Sequence, residues 1–190
     1  NPALTLDDLE YIDERLSLAT LVGAERSARS DVWRGEERLT GVHIEGLTAN
    51  YPDFKRLNLA AGRHFTMLEV TRSHHVAIIG HRLAQDLFTG LDPLGRKIKV
   101  DNRPFTVVGV IEEKGRMLGE DQDTYVAIPI TSFEKLYGRH GRGRSLAIVA
   151  KAVDAESVPG LIDEMRAAMR QRHRLRPADA DDFDVTTSEA

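Results

Sequence analysis

Along the first sixteen residues Leu6, Leu9, Ile12 and Leu16 recur at spacings of three and four behind Thr5-Leu6-Asp7-Asp8, a capping-box-like start. Apolar residues at that interval line one face of a helix, so the pattern predicts an amphipathic helix to about Leu16, docked through a narrow stripe. From Ser17 the period changes to short β segments: Leu18 to Val22, Asp31 to Arg34 with Trp33, and Leu39 to Leu47, where Val42 and Ile44 alternate with His43 and Glu45. Alternation sends successive side chains to opposite faces, which predicts a meander with one wet face. Gly35-Glu36-Glu37-Arg38 is then a hairpin turn rather than an acidic site.

The stretch from Ala49 to Gly138 has its own punctuation. Tyr51-Pro52-Asp53 opens a short helical turn through Leu57, and Gly62-Arg63-His64-Phe65 turns into a polar stretch. His75 to Ile79 is a short apolar strand, and Gly80 releases it into a helix in which Leu83, Ala84, Leu87 and Phe88 share a face. Asp92-Pro93-Leu94-Gly95 fits a β-turn with proline second and glycine fourth. It leads into strand Lys97 to Val100, which Asp101-Asn102 turns back into Phe105 to Ile111 as a hairpin. A polar loop, Glu112 to Asp123, precedes strand Tyr125 to Ile128, and Pro129 marks an edge or a strand end. The middle is therefore expected to be mostly β with one short helix.

The last third reads β, α, β. Ser145 to Lys151 is an apolar strand, and Ser157-Val158-Pro159 starts a helix with a capping serine and a proline in the first turn. Val158, Leu161, Ile162, Met165 and Met169 form its apolar face, and Phe183 to Thr187 is expected to return as a strand. Head and tail together predict one α+β layer, residues 1–48 and 139–190, with residues 49–138 inserted as a second subdomain.

Composition narrows the function classes. A chain of 190 residues buries about 70% of its unfolded surface and needs no disulfide or metal to hold it. A net charge of −4 gives no electrostatic reason to bind nucleic acid. The absence of cysteine removes disulfide frameworks, thiol nucleophiles and thiolate zinc sites together. No segment is long and apolar enough to cross a bilayer as a helix. The start at Asn1-Pro2 without methionine and the stop at Ser188-Glu189-Ala190 suggest a piece of something longer, flanked by membrane helices.

Several segments invite chemistry and have plainer readings. Val76-Ala77-Ile78-Ile79-Gly80 before a helix is similar to a dinucleotide turn, but one glycine stands where three are required. Seven histidines include no H-E-x-x-H, and His74-His75 would face opposite sides of a strand, so they read as solvated. The basic runs Arg139-His140-Gly141-Arg142-Gly143-Arg144 and Arg170 to Arg176 read as a solvated loop and a helix C-terminal cap, with a lipid headgroup or partner contact as the alternative. Asp179 to Asp184 reads as an acidic linker, since it lacks the glycine and distal glutamate of a calcium loop. No catalytic, cofactor or metal residue is assigned.

One ordered series goes further. Gly41-Val42, Phe54, Leu59, Gly62-Arg63 and Phe65 are followed by Val76-Ala77-Ile78-Ile79-Gly80, Leu87-Phe88 and Asp92-Pro93-Leu94-Gly95. Phe105, Val107-Val108-Gly109-Val110, Gly115 and Ile128-Pro129 complete it. This series resembles the extracytoplasmic core domain of MacB-type ABC transporter permeases, a family with relatives of FtsX and LolC, over nearly the whole chain. The resemblance implies a porter-like α+β subdomain made by both chain ends and an inserted β-rich Sabre subdomain. It implies a place between the first and second membrane helices of a permease subunit, tethered to the inner membrane. Two subunits would form a dimer with an ABC ATPase domain or subunit, and a periplasmic adaptor or substrate protein could join them. The domain would carry ATP-driven helix movement outward and would not itself be an enzyme. The signature residues describe turns and core packing, not a ligand site. A regulatory module that recruits a cell-wall hydrolase or lipoprotein carrier is the alternative within this picture, and a soluble α+β enzyme is the alternative outside it.

Overall fold

The computed structural model describes residues 3–138 and 146–187. Its elements are α1 (Leu6–Asp13), β1 (Ala19–Arg34), β2 (Glu37–Leu47), β3 (Leu59–Gly62), α2 (Met67–Thr71), β4 (Val76–Ile79), α3 (His81–Leu87), β5 (Lys97–Val100), β6 (Arg103–Ile111), β7 (Arg116–Met117), β8 (Glu120–Asp121), β9 (Tyr125–Pro129), α4 (Ile130–Tyr137), β10 (Ala147–Ala152) and α5 (Val158–Arg172). Two 3-10 turns, Tyr51–Asp53 and Ala155–Ser157, lie between them. The chain divides into two compact units, Asn1–Ala24 with Leu146–Ala190, and Glu25–Ser145. These bounds differ from 48/49 and 138/139 because β2 pairs in parallel with β9, His43 opposite Tyr125 through Leu47 opposite Pro129. That pairing draws β2 into the sheet of the Glu25–Ser145 unit.

In that unit the strand order runs β1, β2, β9, β4, β6, β3, with β5 pairing both β1 and β6. β1 and β2 form an antiparallel hairpin, Arg34 opposite Glu37, with a register shift between Ser30 and Val32. The two short segments expected within residues 18–34 are one strand. Its polar middle, Glu25 to Ser30, hides the alternation because Arg26 is buried and paired: its guanidinium lies 3.6 Å from Glu134 and donates to the Gly138 carbonyl. The β5–β6 hairpin turns at Asp101 and Asn102, both at positive φ, as expected of a two-residue type I′ turn. Pro129 does end a strand, but β9 lies between β2 and β4, so it is not an edge.

The core of this unit gathers Val42 and Ile44 from β2, Ile79 from β4, Leu83, Leu87 and Phe88 from α3 and its end, Phe105 and Val107 from β6, Ile128 and Phe133. Helices α2 and α4 add to the single one expected here. Helix α2 has a full capping box, Thr66 with Glu69, which sits in the stretch that reads as polar. Helix α4 follows Pro129, whose fixed φ suits the position before a first turn.

The other unit holds α1, the start of β1, β10 beside β1, and α5. Thr5 and Asp8 cap α1 reciprocally, as the sequence predicts. Ile12, Ala168, Met169 and Phe183 form its buried cluster, with Leu4, Leu16, Val22 and Ile148 against it. Two expectations change. The cap before α5 is Asp154, whose carboxylate accepts from the Ser157 N–H, and Ser157 caps nothing at the start of α5. Residues 183–187 are not a strand: Phe183 is anchored by burial rather than by a ladder.

Candidate functional site

The signature residues converge in the Glu25–Ser145 unit, mostly inward. Leu87, Phe88, Phe105, Gly109 and Val110 are buried, and Val108, Pro93 and Leu94 are half-buried. Gly80 begins α3 without a side-chain cap. A Cβ on it would come 2.1 Å from the Asp123 carbonyl, so no larger residue fits. The same carbonyl accepts from the Leu83 N–H at 3.3 Å, and the Gly80 N–H donates to Tyr125 at 2.8 Å. The helix start is thus closed by protein, which suits packing and not a pyrophosphate. Gly62 and Gly109 face each other in register across β3 and β6.

The Asp92–Gly95 turn is displaced by one residue from the expected frame. Arg96 donates its N–H to the Pro93 carbonyl, which places Gly95, at φ +78°, third in the turn, where a left-handed residue is needed. Asp92 is exposed, and its carboxylate accepts from the Leu94 N–H at 3.1 Å. Pro129 stands before α4.

The densest polar constellation was not legible as a site. On β2, Val42 and Ile44 point into the core, which turns His43 and Glu45 to the other face. There Tyr125 donates its hydroxyl to Glu45 at 2.8 Å, and His43 Nε2 lies 3.0 Å from the same carboxylate. Lys55, which follows the Tyr51–Asp53 turn, forms ion pairs with both Glu45 and Glu25. Burial pushes the Glu45 pKa up, but the His43 hydrogen bond, the Lys55 charge and the Tyr125 hydroxyl outweigh it and hold it at about 2. Burial and the Glu45 charge push Tyr125 well above the usual phenol value. Burial and the nearby Lys55 charge lower Lys114, against the pull of Glu45 and Asp123. The cluster ties β1, β2 and β9 to the loop after β2.

Five histidines have hydrogen-bond partners: His75 lies 3.1 Å from the Pro104 carbonyl and His81 2.9 Å from the Gln85 amide, both nearer the surface, and three others are held more firmly. His43 pairs as above, Tyr51 and His64 share a hydrogen bond, and His173 lies 2.7 Å from Asp182. Among the described residues, no group of three or more His, Asp or Glu side chains could hold a metal ion. The run 170–176 and the acidic stretch 179–184 are two halves of one network: Arg166 and Arg170 both pair with Asp181, and Arg176 pairs with Asp179. Residues 139–144 lie outside the described residues.

Geometry thus defines a class: a two-unit α+β domain, with no helix among the described residues long and apolar enough to cross a membrane. The chain belongs to the MacB-like periplasmic core domain family, whose model matches residues 1–168. A macrolide export ATP-binding/permease protein MacB from Rhodospirillum rubrum is 33% identical over 99% of the chain, and one from Bdellovibrio bacteriovorus is 28% identical over 90%. The chain spans 28% and 26% of those relatives. In fold it is similar to the periplasmic region of MacB from Actinobacillus actinomycetemcomitans, with TM-score 0.75 at 21% identity, over 90% of this chain and 75% of that one. It is also similar to the extracellular domain of the noncanonic ABC-type transporter YknZ from Gram-positive bacteria, with TM-score 0.78 at 20% identity, over 94% and 89%. The family expected from the ordered signature is the family found.

Proposed function

We propose that this chain is the extracytoplasmic portion of an export permease and carries ATP-driven movement of membrane helices to a substrate or partner outside the membrane. ATP hydrolysis belongs to another domain or subunit, and two permease subunits act as a pair. The unit made of both chain ends is the porter-like subdomain on the membrane stalk, and Glu25–Ser145 is the Sabre-like body.

The observation that carries this reading is the joining of head to tail. Arg172 of α5 donates to the buried Asp8 of α1 at 3.0 Å, and Glu164 accepts from the backbone N–H of both Ser17 and Leu18 at 3.1 Å. A unit closed this way lets displacement of one chain end act on the other, because dense packing resists compression.

The test uses the full-length permease with its ATPase, reconstituted in proteoliposomes. The domain has no cysteine of its own, so Glu36→Cys, in a permease whose cysteines outside this domain are replaced, takes one spin label per subunit. The distance between labels in the two subunits is expected to change during ATP turnover and to stay fixed when hydrolysis is blocked. An unchanged distance during turnover overturns the reading.

A further inference from the structure

The β1–β2 and β5–β6 hairpins meet where Val32 and Trp33 pair with Val100 and Lys99. Val32, Val100 and Phe105 point into the core, so alternation turns Trp33, Lys99 and Pro104 to the outer face. Register sets four side chains in one row across four strands: Arg38 on β2, Trp33 on β1, Lys99 on β5 and Pro104 on β6. At the usual strand spacing the row is about 14 Å long. Its middle is the half-buried Trp33 indole, with the Arg38 guanidinium 4.9 Å from the ring centroid on one side and Lys99 on the other. Asp31 pairs with Arg38 and fixes it there. Lys97 and Lys99 are exposed and have no ion-pair partner among the described residues.

The charges of this face sum to a positive patch. Arg29, opposite His43, joins Arg38, Lys97 and Lys99, and against them stand Asp31 and Glu36 of the β1–β2 turn. Glu37 and Arg103 lie opposite Arg34 and Val100 and share their inward side, and Asp101 acts on Tyr137, which packs against the core. Asp92 and Arg96, before β5, offset each other, and His75 at the Pro104 carbonyl adds no negative charge. Farther along the face Glu25 and Glu45 are met by Lys55. The whole chain, by contrast, carries −4.

We infer that this face, centred on Trp33, docks a partner protein through a surface rich in Asp and Glu. Desolvating the indole and the stacked guanidinium supplies the attraction, and the unpaired lysines select the partner and steer its approach. Two other occupants are disfavoured. A second copy using the same face across a two-fold axis would set positive charge against positive charge. A bilayer surface would gain no inserted anchor, because none of the large apolar side chains exposed among the described residues stands on these strands, and the indole is half sunk among its neighbours. The inference rests on the reading that this domain works on a partner outside the membrane.

The test places the photo-crosslinker p-benzoylphenylalanine at Pro104, exposed at the end of the row, in the full-length permease in cells, with Glu113, exposed in the loop after β6, as the control position. One protein is expected to be captured from 104 and not from 113, through a peptide bearing several Asp or Glu. Adding Lys97→Glu and Lys99→Glu is expected to cut that adduct about tenfold, since like charges then meet across the contact. Lys placed at the acidic positions of the captured peptide is expected to restore most of it, which also shows that the doubly substituted permease is folded. No adduct, equal capture from both positions, an adduct to lipid or to a second copy, a captured peptide without carboxylates, capture indifferent to the reversal, or a loss that the charge swap does not restore overturns the inference. A permease whose spin-label distance changes during turnover but that gives no such adduct discards the docking face alone. A fixed distance with the charge-dependent adduct intact discards the transmission reading alone.

Discussion

The two units solve the same problem with different means. Glu25–Ser145 buries a broad apolar cluster drawn from strands and helices, and it closes a polar knot around Glu45. The unit of the chain ends gathers Ile12, Ala168, Met169 and Phe183 in a smaller buried cluster, with ion pairs from α5 beside it. Exposed pairs contribute ~0–1 kcal/mol each, whereas a buried aromatic or aliphatic side chain contributes several times that. The second unit is therefore held by a smaller apolar cluster with weaker contacts beside it.

The comparison sharpens most under Phe88→Ala. That buried ring is 2% exposed, and its loss is expected to cost ~3–5 kcal/mol, read as a lower denaturant midpoint at constant slope. Glu45→Gln comes next, at ~3 kcal/mol, because Lys55 keeps its charge without its deeper partner. Acid probes the knot together with the separate Arg63–Glu69 pair. Glu45 and Glu69 sit at about 2 in the fold against 4.5 ordinarily, so their contribution is complete above pH 4.5 and is lost as pH falls toward 2. An equilibrium unfolding series from pH 6 to 2 (~one unit steps) is expected to show that slope, reduced in Glu45→Gln. Insensitivity to Glu45→Gln would remove the knot from the account.

In the other unit Met169→Ala is expected to cost ~2 kcal/mol, toward the low end for a buried methionine, because its cluster is small. Arg172→Ala is expected to cost only ~0.5 kcal/mol, since the arginine side chain is 38% exposed. If Arg172→Ala proved the costlier of the two, the ion pairs and not the cluster would hold head to tail, and the contrast between the units would reverse.

Legibility followed the same divide. The β5–β6 hairpin, helix α3 and the Thr5–Asp8 cap are local events, in which a few neighbouring residues decide the geometry, and these could be read directly. Strand β1 could not, because Arg26 and Glu25 break the alternation and find partners in Glu134, Gly138 and Lys55, far along the chain. Helix α4 was missed because a proline at its start resembles a strand end, although Phe133 and Tyr137 mark an apolar face four residues apart. The Glu45 knot joins residues 25, 43, 45, 55 and 125, and no spacing announces it. The expectation of a closing strand at Phe183 failed because one buried ring, held beside His173, replaces a ladder. The ordered signature identified the family because glycines, prolines and turn residues record backbone constraints that side-chain patterning does not.

Head-to-tail closure is what the account most depends on, and hydrogen exchange of Met169→Ala against the parent chain tests it most directly. Weakening α5 is expected to raise exchange in α1 and in α5 together, since Ile12 and Met169 share one cluster. Faster exchange in α5 with α1 left as protected as before would contradict it.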